Sequence, residues 1–142
     1  MSSLTLVQKE TLIAKAIEAR TFSYSPYSQY QVGAALMCDD GTIYTGCNIE
    51  NAGYGPTNCA ERTAFFKAVS EGKKEFRTIA IVGGKAGEPV ADYAYPCGVC
   101  RQVMAEFCTD KFEILVAKSI TDYREHTLEE LLPERFGPAN LQ

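Results

Sequence analysis

The chain has 142 residues, a length typical of one domain, so we expect residues 1–142 to form a single domain. Hydrophobic residues make up 46% of the chain and charged residues 23%, which excludes a disordered or fibrous protein. The 14 basic and 18 acidic residues give a net charge of −4 without a basic cluster, and this charge disfavours a long nucleic acid as partner. No apolar run is long enough to span a bilayer, so we expect no membrane partner.

The apolar pattern predicts three helices and five strands. A capping box formed by Thr5 and Gln8 opens a helix that extends to Arg20. The other predicted elements are strands over 32–38 and 42–47, a helix over 59–71, a strand over 76–82 that ends at Gly83-Gly84, a helix that begins at Pro96, and strands over 112–117 and 123–126.

The order of these elements predicts the fold class. A strand–helix–strand–helix–strand series implies parallel strands joined by right-handed crossovers, with helices on the faces of the sheet. Residues 118–122 separate the last two strands, whereas a parallel crossover needs about a dozen residues, so the last strand should be antiparallel to its neighbour. We predict an α/β three-layer sandwich, in which a mixed five-stranded sheet has helices on both faces.

The cysteine content is the unusual part of the composition, with six cysteines and a single histidine. The first ten residues show no secretory signal, so we expect a cytoplasmic protein. Free cysteines in that reducing compartment suggest metal binding or catalysis before disulfides.

Two cysteine motifs, 59–61 (Cys-Ala-Glu) and 96–100 (Pro-Cys-Gly-Val-Cys), each begin a predicted helix after a strand. Parallel crossovers bring such helix starts to one edge of the sheet, and Zn²⁺ binds thiolates at about 2.3 Å. The partial positive charge of a helix start favours the thiolate. Cys59, Cys97 and Cys100 are therefore candidate zinc ligands.

Three ligands leave a tetrahedral ion one open position, which is typical of catalytic zinc. Water activated at such an ion needs a partner that carries protons. Glu61 is the candidate for this role. Residues two apart on a regular helix point in different directions, so Glu61 can reach the metal site only if Cys59 occupies the first, non-helical position. Three thiolates also carry excess negative charge, which Arg62 would offset, with Arg101 as the alternative.

Two other interpretations of the motifs stay open at this point. Cys97 and Cys100 could form a thioredoxin-like redox pair. The zinc could also be structural and closed by a fourth ligand, for which the candidates are Cys38, Cys47, Cys108 and His126.

The two motifs together form a zinc deaminase signature with cysteine in place of histidine as the first ligand. Cys-Ala-Glu-Arg (59–62) with Pro-Cys-Gly-Val-Cys-Arg-Gln (96–102) closely resembles the small cytidine deaminases that act on free nucleosides. The resemblance covers essentially the whole chain and includes segments 25–28, 32–35, 48–52, 131–133 and 136–138. Tyr30 departs from the family, which usually has phenylalanine there.

The resemblance implies the role of each site residue. One Zn²⁺ per subunit would be held by Cys59, Cys97 and Cys100, and Glu61 would transfer protons. The implied nucleoside contacts are Asn48 and Glu50 with the ribose hydroxyls, Phe22 with the nucleoside, the Ala60 backbone with the pyrimidine carbonyl, and Tyr54 and Phe136 from a neighbouring subunit of a homotetramer whose active sites are completed across subunits.

The implied reaction is hydrolytic deamination of cytidine and deoxycytidine to uridine and deoxyuridine with release of ammonia, a step of pyrimidine salvage. Asn48 and Glu50 suit sugar hydroxyls because the amide can donate and accept while the carboxylate accepts. A 5′-phosphate would be repelled by Glu50, so a small neutral nucleoside is expected rather than a nucleotide.

Overall fold

The computed structural model describes residues 4–142, and the first three residues of the predicted 1–142 domain lie outside this range. That one domain spans the whole chain stays a prediction. The described elements are α1 (Leu6–Arg20), β1 (Tyr30–Cys38), β2 (Ile43–Cys47), α2 (Ala60–Ser70), β3 (Phe76–Lys85), α3 (Gly98–Phe107), β4 (Glu113–Ala117), β5 (Tyr123–Thr127), α4 (Leu128–Leu131) and a final 3₁₀ turn (Pro138–Leu141).

The five strands form one sheet in the order β2-β1-β3-β4-β5. Strand β1 is antiparallel to both β2 and β3, β3 is parallel to β4, and β5 is antiparallel to β4. The predicted mixed sheet with an antiparallel last strand is confirmed. Strands β2, β3 and β4 run in the same direction, although β1 lies between β2 and β3. Helices α2 and α3, which follow β2 and β3, therefore begin at the same edge of the sheet.

Helix α1 covers one face of the sheet. The predicted capping box is present: the backbone N–H of Gln8 donates to the Thr5 hydroxyl and the Thr5 N–H to the Gln8 side chain. Gly33 on β1 is a point of closest approach, because a Cβ there would lie 2.0 Å from the carbonyl oxygen of Ala16. The apolar layer between α1 and the sheet contains Leu4, Leu12, Ile13, Ala16, Ala35, Met37, Ala80, Val82, Leu115 and Ala117.

Helices α2 and α3 cover the opposite face, which confirms the three-layer arrangement. Phe65 of α2 is fully buried, and its ring centroid lies 5.0 Å from that of Phe76, 6.0 Å from Phe112 and 6.4 Å from Phe107. These rings come from α2, from α3, from the start of β3 and from the residue directly before β4. The aromatic cluster therefore fixes the middle of α2 and the C-terminal end of α3 to the sheet.

The first turn of α2 packs directly against β2. A Cβ at Gly46 would lie 2.5 Å from the carbonyl oxygen of Ala60 and 2.6 Å from the backbone nitrogen of Ala64. The hydroxyl of Thr63 donates to the carbonyl oxygen of Cys47 over 3.0 Å in the same region. This contact sets the height of the α2 N-terminus above the sheet.

Several predicted boundaries are wrong, and three of them matter for the site. Strand β1 begins at Tyr30, two residues before the predicted start at 32. Strand β3 does not end at Gly83-Gly84 but continues to Lys85, because both glycines pair with β1. Helix α3 begins at Gly98 rather than Pro96, since Cys97 forms its N-cap. Within residues 4–142, no helix combines the length and apolar character needed to cross a membrane.

Candidate functional site

Three cysteine sulfurs meet at the sheet edge where α2 and α3 begin. The Sγ atom of Cys97 lies 3.7 Å from that of Cys59 and 3.6 Å from that of Cys100, and all three atoms lie within 4.8 Å of one another. Two sulfurs bound to one tetrahedral ion at about 2.3 Å are about 3.8 Å apart. The observed spacing therefore fits a single zinc ion.

The helix N-termini explain this convergence. Cys59 and Cys97 are the N-caps of α2 and α3, and both have an extended backbone, with φ and ψ of −75° and 157° for Cys59 and −69° and 168° for Cys97. Cys100 follows one turn later, and its N–H donates to the Cys97 sulfur over 3.5 Å. The non-helical position required of Cys59 is confirmed.

Hydrogen bonds favour the thiolate form of Cys59. The Cys100 thiol and the Arg62 guanidinium, whose Nη2 lies 3.3 Å from Cys59 Sγ, lower the pKa of Cys59 to about 5. The same thiol–thiolate bond raises the pKa of Cys100. Arg101, the alternative cation, instead donates to the carbonyl oxygens of Pro96 and Leu131. Of the two arginines, only Arg62 contacts the sulfur cluster.

Glu61 lies beside the cluster with only 4% of its surface exposed. Burial raises the pKa of this carboxyl group to about 7, and the nearby charge of Cys59 acts in the same direction. A carboxyl group with a pKa close to neutrality can both accept and donate a proton. This property is the one that the sequence hypothesis requires of Glu61.

A cavity of about 460 Å³ opens in front of Glu61 and the sulfurs of Cys59 and Cys97. This volume lies within the range of about 300–1,000 Å³ that is common for small-ligand sites. Four parts of the chain form the walls of the cavity: the start of β1, the loop after β2, the first turn of α2 and the segment that leads to α3. Its other lining residues are Ser28, Tyr30, Val32, Asn48, Glu50, Thr57, Asn58, Ala60, Ile81, Tyr93, Ala94 and Tyr95.

Asn48, Glu50 and Ala60, all expected from the sequence, line this cavity. Asn48 is buried, and its Nδ2 donates to the carbonyl oxygen of Tyr30 over 2.8 Å. Glu50 accepts hydrogen bonds from the segment before β1, and the bond from the Ser28 hydroxyl lowers the pKa of its carboxyl group. Both side chains are thus held in place before any ligand arrives.

Three expected residues do not line the cavity. Phe22 is 73% exposed and lines a separate cavity of about 530 Å³ between α1, β2 and α2. Tyr54 and Phe136 are 76% and 59% exposed. The placement in this chain therefore does not support Phe22 as a contact, while Tyr54 and Phe136 stay predictions that need a neighbouring subunit.

Sequence reasoning missed the cavity contribution of Tyr30, Ser28 and the segment 93–95. Tyr30 and Val32 are two residues apart on β1, so their side chains point to the same face of the sheet. This alternation, together with the position of the strand end, is the signal that could have placed Tyr30 in the cavity. For segment 93–95, the signal that could have placed it in the cavity is its closeness in sequence to Cys97.

No fourth cysteine or histidine joins the cluster within residues 4–142. Cys38 is buried in the core, and Cys108 packs against the same core from the end of α3. His126 instead lies beside Tyr95, with its Nε2 3.2 Å from the tyrosine hydroxyl. The geometry therefore favours an open three-cysteine site over a closed structural one, and the third sulfur distinguishes it from a simple two-cysteine redox pair.

Comparison with known families agrees with this geometry. Residues 6–116 match the family model described as the cytidine and deoxycytidylate deaminase zinc-binding region. The chain belongs to the cytidine deaminase family. Zinc is accordingly the cofactor, and the cluster of Cys59, Cys97 and Cys100 is suited to bind it.

Individual members of the cytidine deaminase family are similar over most of their length. The cytidine deaminases of Sporosarcina psychrophila and Halalkalibacterium halodurans are 51% and 49% identical to this chain, cover 93% and 92% of it, and are themselves covered to 93% and 95%. The crystal structure of cytidine deaminase from Burkholderia pseudomallei aligns with a TM-score of 0.77 and 45% identity, over 89% of this chain and 97% of that one.

Proposed function

We propose that the chain is a zinc-dependent hydrolase that converts cytidine and deoxycytidine to uridine and deoxyuridine and releases ammonia, as in pyrimidine salvage. The observation that carries this proposal is the buried carboxyl group of Glu61 beside three converging cysteine sulfurs, at the bottom of a cavity of nucleoside size.

Cys59, Cys97 and Cys100 would hold the zinc ion, and Arg62 would offset part of their negative charge through its bond to Cys59. Zinc bound there supplies the Lewis acid that makes water a nucleophile near neutral pH. The start of α2 adds partial positive charge, which further stabilises the thiolate of its N-cap.

Glu61 moves the protons of the reaction. Its carboxylate accepts the first proton from the attacking water and delivers it to ring N3 of the cytosine. It then takes the second proton from the hydroxyl now bonded to C4 and passes it to the amino group, so that the C4–N bond breaks, ammonia leaves and the C4 carbonyl of the product forms. The raised pKa of about 7 supports both directions of transfer, since neither protonation state is strongly favoured at neutral pH.

The cavity walls bind the nucleoside. Asn48 and Glu50 bind the sugar hydroxyls, and the Ala60 backbone at the start of α2 meets the pyrimidine carbonyl. In place of Phe22, the aromatic ring that packs against the nucleoside from within this chain is that of Tyr30, which lines the cavity. The carboxylate of Glu50 disfavours a 5′-phosphate, so nucleosides are preferred over nucleotides.

The active form is a homotetramer in which Tyr54 and Phe136 of one subunit complete the cavity of another. The high exposure of these two aromatic side chains in the single chain supports this assignment, because such residues are often covered in an assembly. The enzyme acts in the cytoplasm, and its six cysteines, all free of disulfides, suit a reducing compartment.

The decisive experiment measures zinc content and ammonia release for the wild-type protein and for Glu61→Gln. We expect the wild type to deaminate cytidine and deoxycytidine but not cytidylate, and Glu61→Gln to retain zinc while losing nearly all turnover. An unchanged kcat in Glu61→Gln would eliminate the proton-transfer role. A wild-type protein that binds zinc and releases no ammonia from either nucleoside would contradict the proposed function itself.

A further inference from the structure

The α1–β1 connection, residues 21–29, lies against the loop that carries Asn48 and Glu50. The Tyr24 N–H donates to the Asn48 carbonyl oxygen over 3.0 Å, and the Glu50 N–H donates to the Tyr24 carbonyl oxygen over 2.9 Å. Tyr24 and Ile49 thus form a short parallel bridge between the two segments. The bridge places one serine of the connection next to each of the two proposed sugar-binding residues.

Ser23 fixes the side-chain amide of Asn48. The Ser23 hydroxyl and the Val32 N–H both donate to Asn48 Oδ1, the latter over 2.9 Å, while Asn48 Nδ2 donates to the Tyr30 carbonyl oxygen. A carbonyl-type oxygen has two acceptor positions, and an amide nitrogen has two hydrogens. The amide therefore keeps one free N–H, and Asn48 can present only a donor to the cavity.

Ser28 fixes the carboxylate of Glu50. Its hydroxyl donates to Glu50 Oε2, and its N–H donates to Oε1 over 3.1 Å. The Tyr27 N–H donates to the same Oε1 over 3.0 Å. Oε1 is thus saturated, and the remaining acceptor position of Oε2 is the one that Glu50 can offer to a ligand.

We infer that Ser23 and Ser28 are positioning residues for sugar recognition: Ser23 holds Asn48 as a donor, and Ser28 holds Glu50 as a single acceptor for a sugar hydroxyl. This inference rests on the proposed nucleoside deamination. It assigns a role to the α1–β1 connection, which is distant in sequence from the loop that it holds. It also explains why each of the two proposed sugar-binding side chains accepts a hydrogen bond from a serine hydroxyl. Pre-organised side chains bind more tightly because less ordering accompanies the binding step.

The test measures kcat and KM for Ser23→Ala and Ser28→Ala with cytidine, 2′-deoxycytidine and 3′-deoxycytidine. With cytidine we expect kcat/KM to fall about fivefold for Ser23→Ala and about tenfold or more for Ser28→Ala, chiefly through KM, because the second bond is made to a charged group. The fall in kcat/KM caused by Ser28→Ala should largely disappear with the deoxynucleoside that lacks the hydroxyl bound by Glu50.

Three controls make the result interpretable. Ser23→Thr and Ser28→Thr keep the hydroxyl and should restore most of the activity. Thr21→Ala removes a hydroxyl from the same connection that donates to the carbonyl oxygen of Glu18 rather than to Asn48 or Glu50, and it should leave kcat/KM unchanged. Zinc content and the melting temperature identify any variant that fails to fold.

The substrate comparison decides between positioning and a merely structural role. Equal Ser28→Ala penalties on all three nucleosides, with a folded and zinc-loaded protein, would overturn the inference, because a general loosening of the cavity does not depend on one hydroxyl. That outcome leaves wild-type deamination intact. Failure of the proposed function would instead appear as a wild-type protein without ammonia release.

Discussion

Replacement of Gly46 by alanine tests how the packing of α2 controls the metal cluster. The added Cβ would lie 2.5 Å from the carbonyl oxygen of Ala60 and 2.6 Å from the nitrogen of Ala64, both of which are backbone atoms of α2. Backbone atoms of a helix cannot rotate away as a flexible side chain can. The first turn of α2 must therefore move away from β2.

The size of this movement follows from ordinary van der Waals contact. A carbon atom needs a separation of about 3.4 Å, so the first turn of α2 would shift by about 0.8 to 0.9 Å. Cys59 is the N-cap of that turn, whereas Cys97 belongs to α3 and would stay in place. Metal–ligand distances tolerate deviations of only about 0.2 Å. Gly46→Ala should thus weaken zinc binding and, as an overpacked core site, destabilise the fold by about 1–3 kcal/mol.

The assay combines urea denaturation with competition for zinc by a chromophoric chelator. Gly98→Ala is the matched control: among residues 4–142, a Cβ at Gly98 meets no atom within 4 Å outside its chain neighbours and the nearby backbone of α3, although this residue directly follows Cys97. We expect zinc to leave Gly46→Ala at lower chelator concentration than it leaves the wild type or Gly98→Ala. A Gly46→Ala protein with wild-type stability and wild-type zinc retention would refute the reasoning.

Three further predictions concern stability. Phe65→Ala should lower the free energy of unfolding by about 3–5 kcal/mol in chemical denaturation, because this ring is fully buried among three others. Thr5→Ala should cost about 1 kcal/mol in the same assay through loss of the α1 capping box, and a cost near zero would contradict it. The Asp40 carboxylate accepts a hydrogen bond from Lys73, which holds its pKa well below the usual range. The stability advantage over Asp40→Asn should therefore be present at pH 7 and decline as the pH falls below about 4, and an advantage that grows in acid would oppose this.

Local signals were sufficient to predict most of the fold. The Thr5–Gln8 capping box and the short 118–122 connection correctly gave the start of α1 and the antiparallel last strand. The position of β1 between β2 and β3 was not predictable, because the order of strands depends on long-range pairing rather than on local periodicity. The same pairing carries β3 through Gly83-Gly84, where the local composition indicated an end.

In the candidate site, too, some residues could be predicted from local sequence, whereas others depend on how the strands pair. The convergence of Cys59 and Cys97 could be predicted because each begins a helix that is the next regular element after a strand, and the two strands run in the same direction. Phe22 and Tyr30 are both aromatic residues of a loop-like stretch, and local sequence does not tell which of them faces the cavity. The sheet decides this, since β1 extends back to Tyr30 and directs its ring toward the cavity, whereas Phe22 lies just after the end of α1.

The separation of the three cysteines along the chain has a consequence for how the cofactor is acquired. Cys97 and Cys100 are neighbours on one helical turn, whereas Cys59 precedes Cys97 by 38 residues and reaches it only after β3 has joined the sheet. An unfolded or newly synthesised chain can therefore offer a metal ion two adjacent thiols, and only the folded chain offers three. Zinc held by all three sulfurs stabilises the native topology relative to unfolded arrangements, so zinc binding at the complete site and folding are thermodynamically coupled.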